Sequence, residues 1–131
     1  MIPLEMENVP LPVQPSFARQ FAQNWVDAWN SHDLERIMVH YDDEVTLTSP
    51  VALKLLKNRD GVIRGKAAVR DYFVRGLQAY PEVHFELTDV LWGVETIVVC
   101  YGNNVRGSKT AEVMQLTPAG EIRRVWANYD Q

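Results

Sequence analysis

The chain has 131 residues and a mass of 15.0 kDa, which suits one domain that can bury a hydrophobic core. Its formal net charge of −4 argues against a protein that binds nucleic acid through overall charge. One cysteine excludes an internal disulfide and a cysteine-rich zinc site, and no apolar run approaches the ~20 residues of a membrane-spanning helix.

The first fifteen residues hold four prolines and lack the basic start and apolar stretch of a signal peptide. We expect residues 1–15 to form a flexible arm and residues 16–131 to form the single domain. Ser16 is the expected N-cap of the first helix. A cytoplasmic location is the default expectation for this chain.

Aromatic side chains recur at every fourth position of the first helix, at Phe17, Phe21, Trp25 and Trp29. This spacing places them in one stripe and indicates an amphipathic helix. A short second helix is predicted around residues 34–41. A third is predicted over residues 65–80, where Pro81 ends it.

Alternating side chains predict strands at residues 44–50, 83–92, 96–103, 108–117 and 121–129. Residues 51–64 are predicted to be a loop. Helices followed by an antiparallel meander indicate an α+β fold, with three N-terminal helices packed on one face of a curved, mostly antiparallel sheet.

The register of the last two hairpins assigns side chains to two faces of this sheet, unless a bulge flips part of a strand. If the last turn runs through residues 117–120, Leu116 opposes Glu121 and Glu112 opposes Val125. The predicted inner face holds Val99, Tyr101, Asn103, Thr110, Glu112, Met114, Val125, Ala127 and Tyr129. The predicted outer face holds Val98, Cys100, Ala111, Val113, Ile122, Arg124, Trp126 and Asn128.

Both faces are substantially apolar, although three helices can cover only one of them. We therefore expect a symmetric homodimer through the outer face, with Cys100, Val113 and Trp126 in the contact. The alternative is that one strand is misregistered and the outer face is merely mixed.

A carboxylate among apolar neighbours is costly unless it is paired, hydrogen-bonded or protonated. Glu112 on the inner face therefore indicates a largely apolar pocket with a few polar groups. Burial would raise its pKa towards the range that acid–base catalysis uses, which makes Glu112 the candidate catalytic residue. The alternative is a structural acid that is bonded to Tyr101 or Tyr129 or that contacts water at the rim.

Short motifs follow one another in a fixed order: WVDAWN at 25–30, HDLE at 32–35, YDDEV at 41–45, TSP at 48–50, GKAAVRDYF at 65–73, EVM at 112–114 and GEI at 120–122, with Tyr129 at the end. Over residues 16–129 this order resembles SnoaL-like members of the nuclear transport factor 2 superfamily. The resemblance implies a cystatin-like, cone-shaped domain with a deep internal pocket, usually a homodimer. Relatives include polyketide cyclases, ketosteroid isomerase, epoxide hydrolases, dehydratases and binding modules, so the fold leaves the function open.

The resemblance to ketosteroid isomerase extends to three positions. Ser49 stands where that enzyme has its general-base aspartate, Trp25 where it has an oxyanion-hole tyrosine, and Glu112 where it has a protonated aspartic acid. A serine hydroxyl is no base near neutral pH and an indole is no acid, so the isomerase mechanism is disfavoured. The paired aspartates and arginine of the epoxide hydrolases are not found.

We expect the pocket to bind a small apolar organic ligand without a cofactor. We also expect no metal, because the three histidines lack the spacing of metal ligands. Residues expected to contact the ligand are Phe21, Trp25, Tyr41, Leu47, Ser49, Tyr72, Val99, Tyr101, Asn103, Met114, Val125 and Tyr129.

Two further features have alternative interpretations. The basic stretch from Lys54 to Arg75 either attracts an anionic ligand to the pocket mouth or is a solvated surface. Asp89 either enters the pocket or marks a bulge in its strand.

Three functions remain open at this point. The chain is a SnoaL-like small-molecule-binding protein, a cofactor-independent enzyme of the cyclase or isomerase kind that transfers protons through Glu112, or a protein-interaction module that uses its outer sheet face.

Overall fold

The computed structural model describes residues 12–57 and 59–131 of the chain. These residues contain four helices and six strands. Residues 1–11 of the predicted arm lie outside them. The elements are α1 (Pro15–Ser31), α2 (Leu34–Met38), β1 (Tyr41–Thr48), α3 (Pro50–Leu55), β2 (Val62–Arg64), α4 (Lys66–Ala79), β3 (Phe85–Trp92), β4 (Thr96–Asn103), β5 (Ser108–Leu116) and β6 (Ile122–Tyr129).

The six strands form one sheet in the order β2-β1-β6-β5-β4-β3. All neighbours pair antiparallel except β1 and β6, which run parallel. Helix α1 packs on β3 and α4 packs on β1. The predicted α+β class and the mostly antiparallel sheet are confirmed. None of the described helices has the length and apolar character to cross a membrane.

The start of α1 differs from the prediction. Gln14, not Ser16, is the N-cap, and Pro15 occupies the first turn because its fixed φ suits that position. Val13, which belongs to the predicted flexible arm, is buried, and its N–H donates to the Val94 carbonyl at 3.0 Å. The end of the arm is therefore part of the domain.

The segment predicted as a loop over residues 51–64 contains α3 and β2. Ser49 caps α3 by accepting a hydrogen bond from the Val51 N–H at 3.1 Å, and Pro50 begins the helix. Strand β2 pairs with β1, with Ile63 opposite Leu47. Strand β2 of this segment therefore forms one edge of the sheet.

The predicted inner face is confirmed at Val99, Tyr101, Met114 and Val125, which are all buried. Ile122, predicted on the outer face, is also buried, so that assignment is wrong.

The reason is a register shift between Gln115 and Leu116, which places Leu116 opposite Ile122. Glu112 consequently faces Ala127 instead of Val125. The predicted cross-strand partner of Glu112 is thus wrong by two residues. Glu112 still lies on the predicted face, because side chains alternate with a period of two.

Candidate functional site

A cavity of about 660 Å³ lies between α3, α4 and the inner face of the sheet. Its wall is mostly aromatic and aliphatic. Among the described residues the lining consists of Trp29, Tyr41, Leu47, Ser49, Val51, Leu55, Tyr72, Phe73, Arg75, Gly76, Gln78, Ala79, Tyr80, Val83, Phe85, Tyr101, Asn103, Val105, Arg106, Glu112, Ala127 and Tyr129.

The cavity brings together eight of the residues singled out from the sequence: Tyr41, Leu47, Ser49, Tyr72, Tyr101, Asn103, Glu112 and Tyr129. Five other residues expected to contact a ligand are not in the cavity wall: Phe21, Trp25, Val99, Met114 and Val125 are buried in the closed core. They differ because the inner face extends beyond the cavity, and α1 fills that part with its aromatic stripe. Trp25, for example, stacks on Phe85 with ring centroids 5.8 Å apart.

Sequence reasoning missed several lining residues that had a usable signal. Trp29 belongs to the aromatic stripe of α1, Phe73 to the apolar side of α4, and Ala127 to the predicted inner face. Arg106 and Val105 lie in the turn between β4 and β5, where no periodicity indicates a direction.

Glu112 and Tyr101 form the polar centre of the cavity. Tyr101 Oη donates a hydrogen bond to Glu112 Oε2 at 2.5 Å. Tyr101 faces Thr110 and Glu112 faces Val99 in the β4–β5 ladder, so the two side chains are diagonal neighbours on one face. Burial raises the pKa of Glu112 to about 7, while the bond from Tyr101 acts in the opposite direction.

Four further tyrosines line the same cavity: Tyr41, Tyr72, Tyr80 and Tyr129. The hydroxyls of Tyr41, Tyr72 and Tyr129 remain protonated near neutral pH. Burial, followed by the charge of Glu112, raises the pKa of Tyr41 and of Tyr129. Burial also raises the pKa of Tyr72 to about 12. The Ser49 side chain makes a smaller contribution that lowers the pKa of Tyr72 and of Tyr129. All three phenols can therefore donate a proton in a hydrogen bond.

The three positions compared with ketosteroid isomerase do not form an isomerase site. Trp25 Nε1 donates to Tyr41 Oη at 3.0 Å, so this indole N–H is used inside the protein. Ser49 lines the cavity, but its hydroxyl caps α3. Only Glu112 combines an acidic group with access to the cavity.

The three histidines lie outside the cavity wall. His32 ends α1 and its Nε2 donates to the Val83 carbonyl at 2.6 Å. His40 packs edge-on against Phe21, and burial lowers its pKa. His84 is exposed. Within residues 12–57 and 59–131, no group of three or more histidine, cysteine or acidic side chains is arranged to hold a metal ion.

Asp89 follows a bulge between Leu87 and Asp89 and is exposed opposite Cys100. Of its two interpretations, the bulge is confirmed. In the basic stretch, Arg70 pairs with Glu35 at 2.6 Å, whereas Arg75 lines the cavity.

The SnoaL-like domain family matches residues 22–128 of the chain. Among solved structures, a SnoaL-like protein of unknown function from Burkholderia thailandensis E264 is 33% identical, with a TM-score of 0.88, and the alignment covers 92% of this chain and 99% of that one. No match was found among the curated proteins.

More distant structures share the fold. A cystatin-like protein of unknown function from Methylobium petroleophilum PM1 is 13% identical, with a TM-score of 0.72 and coverage of 93% of this chain and 80% of that one. A protein from Shewanella denitrificans OS-217, provisionally assigned as a SnoaL-like polyketide cyclase, is 13% identical, with a TM-score of 0.69 and coverage of 89% and 92%. The chain therefore belongs to the SnoaL-like family.

Proposed function

We propose that the chain binds a small, largely apolar organic molecule in the cavity, with Glu112 and Tyr101 as its polar contacts. The cavity itself carries the proposal. Its volume of about 660 Å³ lies within the ~300–1,000 Å³ of small-molecule sites, and aromatic and aliphatic residues wall it around one buried acid.

The state of Glu112 determines what the polar end of such a ligand can be. With a pKa of about 7, the carboxyl group is populated both as a neutral acid and as a carboxylate near neutral pH. The acid donates to a carbonyl oxygen, and the carboxylate accepts from a hydroxyl group. A ligand with one oxygen on an apolar frame suits both forms.

A neutral fluorescent probe, N-phenyl-1-naphthylamine, tests binding in the cavity. Gly76 lines the cavity, and a Cβ placed there meets no heavy atom within 4 Å. The Cβ of a Gly76→Phe variant therefore has open space, and its ring should occupy part of the cavity. We expect the probe to bind this variant about tenfold more weakly or worse.

Ala67→Phe is the control for this variant, because Ala67 is exposed on the same helix and does not line the cavity. It should bind the probe as the wild-type chain does. Equal affinity of wild type and Gly76→Phe would contradict the proposal.

A second candidate function is proton transfer catalysed without a cofactor. The pKa of about 7 favours it, because a group with that pKa serves as base and as acid at neutral pH. The ionised Glu112 would take a proton from an acidic carbon of the bound molecule and return it to another atom. The fold shared with a provisional polyketide cyclase is consistent with this chemistry.

The compound 5-nitrobenzisoxazole tests it. A base removes the proton on its ring carbon, the N–O bond breaks, and 2-cyano-4-nitrophenolate forms. We expect a rate that rises with pH through about 7 and is lost in Glu112→Gln, while that variant still binds the naphthylamine probe. A Glu112→Gln rate equal to that of wild type would remove this candidate.

The homodimer predicted from the sequence is a further proposal for the outer face of the sheet. Val113 pairs with Trp126 there, and Trp126 is 37% exposed. Cys100 and Ala111 are half-buried beside them. If the chain is instead a protein-interaction module, the same outer face would bind a different protein. The cytoplasmic location also remains a proposal.

A further inference from the structure

Three charged side chains line the cavity in the described part of the chain: Glu112, Arg75 and Arg106. Glu112 is buried, whereas both arginines are exposed. The cavity therefore has positive charge at its exposed side and a single acid in its interior. A ligand that matches this distribution carries negative charge at the exposed end only.

Arg75 has no carboxylate partner among the described ion pairs. Asp71 lies one helical turn away at the spacing of an i, i+4 pair, yet the two side chains do not pair. Arg70 on the same helix, by contrast, is paired with Glu35 at 2.6 Å. The guanidinium of Arg75 is thus free to bind a ligand at the cavity.

Arg106 is held in place at the same cavity by two contacts. Its guanidinium carbon lies 5.3 Å from the centroid of the Tyr129 ring, and Tyr129 is itself a lining residue. Its Nη2 donates to the main-chain oxygen of Gln131 at 3.1 Å. These contacts use part of the guanidinium and leave its other N–H groups available.

Asn103 adds a neutral donor next to Arg106. Its Oδ1 accepts from the Val105 N–H at 2.7 Å, which fixes the orientation of the amide. Its Nδ2 has no hydrogen-bond partner in the part of the chain that the structure describes, and Asn103 lines the cavity. The end of β4 and the turn that follows it therefore contribute an amide N–H₂ and a guanidinium to the same cavity.

We propose that the ligand is an apolar organic acid whose carboxylate binds between Arg75 of α4, Asn103 at the end of β4 and Arg106 of the following turn. The oxygen on its apolar frame is directed towards Glu112. The inference rests on the proposed function, since it specifies the ligand class for the same cavity. A guanidinium matches the planar geometry of a carboxylate and binds it with parallel hydrogen bonds. A neutral analogue would lose those bonds, and a cationic one would be repelled.

The test is isothermal titration calorimetry with 2-naphthylacetate and its neutral amide, 2-naphthylacetamide, which have nearly the same shape. We expect wild-type protein to bind the acetate about threefold to tenfold more tightly, as suits partly exposed charge pairs. The preference should decrease with added salt, because salt screens exposed charges.

The double variant Arg75→Gln/Arg106→Gln should lose this preference and bind both compounds equally. Arg124→Gln is the control, because Arg124 is exposed on β6 and lies outside the cavity wall. It should keep the wild-type preference.

Each outcome decides between the two proposals. Equal binding of acetate and amide by wild type, or a preference that persists in the double variant, would overturn the inference and leave the apolar binding site intact. If neither compound binds, the proposed function fails together with the inference.

Discussion

The Tyr101 hydroxyl donates a hydrogen bond to Oε2 of Glu112, with the two oxygens 2.5 Å apart. Among the described residues that line the cavity, Glu112 is the single acidic side chain. Both side chains are buried. Their bond favours the ionised form of Glu112, while burial favours the neutral form. Tyr101 therefore lowers the pKa that burial alone would give Glu112.

Replacing Tyr101 with Phe should raise the pKa of Glu112 above about 7. The change removes the hydrogen bond that stabilises the carboxylate and leaves the burial unchanged. The measurement is an NMR titration of the glutamate side-chain carboxyl carbons, with Glu112 assigned from its absence in Glu112→Gln. Tyr80→Phe, at an exposed lining residue, is the control. A pKa that stays the same or falls in Tyr101→Phe would show that the bond does not act in this way.

Glu112→Gln should stabilise the protein more at pH 8 than at pH 5. The folded pKa of about 7 lies above the ordinary value of 4.5, so the stability that the neutral acid provides is present below about pH 4.5 and is lost as the pH rises through about 7. The difference in unfolding free energy between variant and wild type should grow by about 2–3 kcal/mol between the two pH values.

Urea denaturation of both proteins at pH 5 and pH 8 provides this comparison, because the other titrating groups are common to the pair. A difference that is the same at the two pH values would mean that Glu112 titrates as an exposed acid.

Trp25→Phe should lower the free energy of unfolding by about 2–3 kcal/mol. Trp25 is 1% exposed, its ring packs on Phe85 and Tyr101, and its N–H is bonded to Tyr41. Trp92→Phe is the matched control and should cost less than about 1 kcal/mol, because Trp92 is 45% exposed on the edge strand β3. Equal losses in thermal or urea denaturation would remove Trp25 from the core account.

Trp126→Asp should convert the proposed dimer into a monomer that remains folded. The charge would lie in the middle of the outer face, opposite Val113, where a second copy would bury it. Analytical ultracentrifugation measures the mass, and circular dichroism checks the fold. Val39→Asp is the control, since Val39 is 64% exposed and precedes β1 away from this face. A wild-type chain that sediments as a monomer would eliminate the dimer.

The sequence was sufficient for the faces of β4 and β5 and for β6 from Arg124 onward, because a face depends only on whether the register is shifted by an even or odd number of residues. Glu112 remained on the correct face although its partner is Ala127 and not Val125. Ile122 was misassigned because a bulge changes the alternation locally, and no residue in this segment marks it.

The cavity wall was harder to predict than the sheet face. Which inner-face residues remain uncovered depends on where α1 and α4 lie across the sheet, and this is a property of tertiary packing. Val99 and Met114 share a face with Tyr101 and Glu112, but they lie under the packed part of the core.

The short elements α3 and β2 had one overlooked signal. Ser49 followed by Pro50 is a typical helix start, with a capping hydroxyl and a proline in the first turn. A three-residue strand such as β2 is too short to show any periodicity, so it could be recognised only through its pairing with β1.

The chain has four tryptophans, and their indole N–H groups give the most direct measurement of where a ligand binds. Trp29 lines the cavity, Trp126 is on the outer face and Trp92 is exposed on β3. In ¹H–¹⁵N correlation spectra recorded during titration with N-phenyl-1-naphthylamine, the Trp29 signal should shift while those of Trp92 and Trp126 stay in place. Shifts of Trp126 or Trp92 with an unchanged Trp29 signal would contradict binding in the cavity.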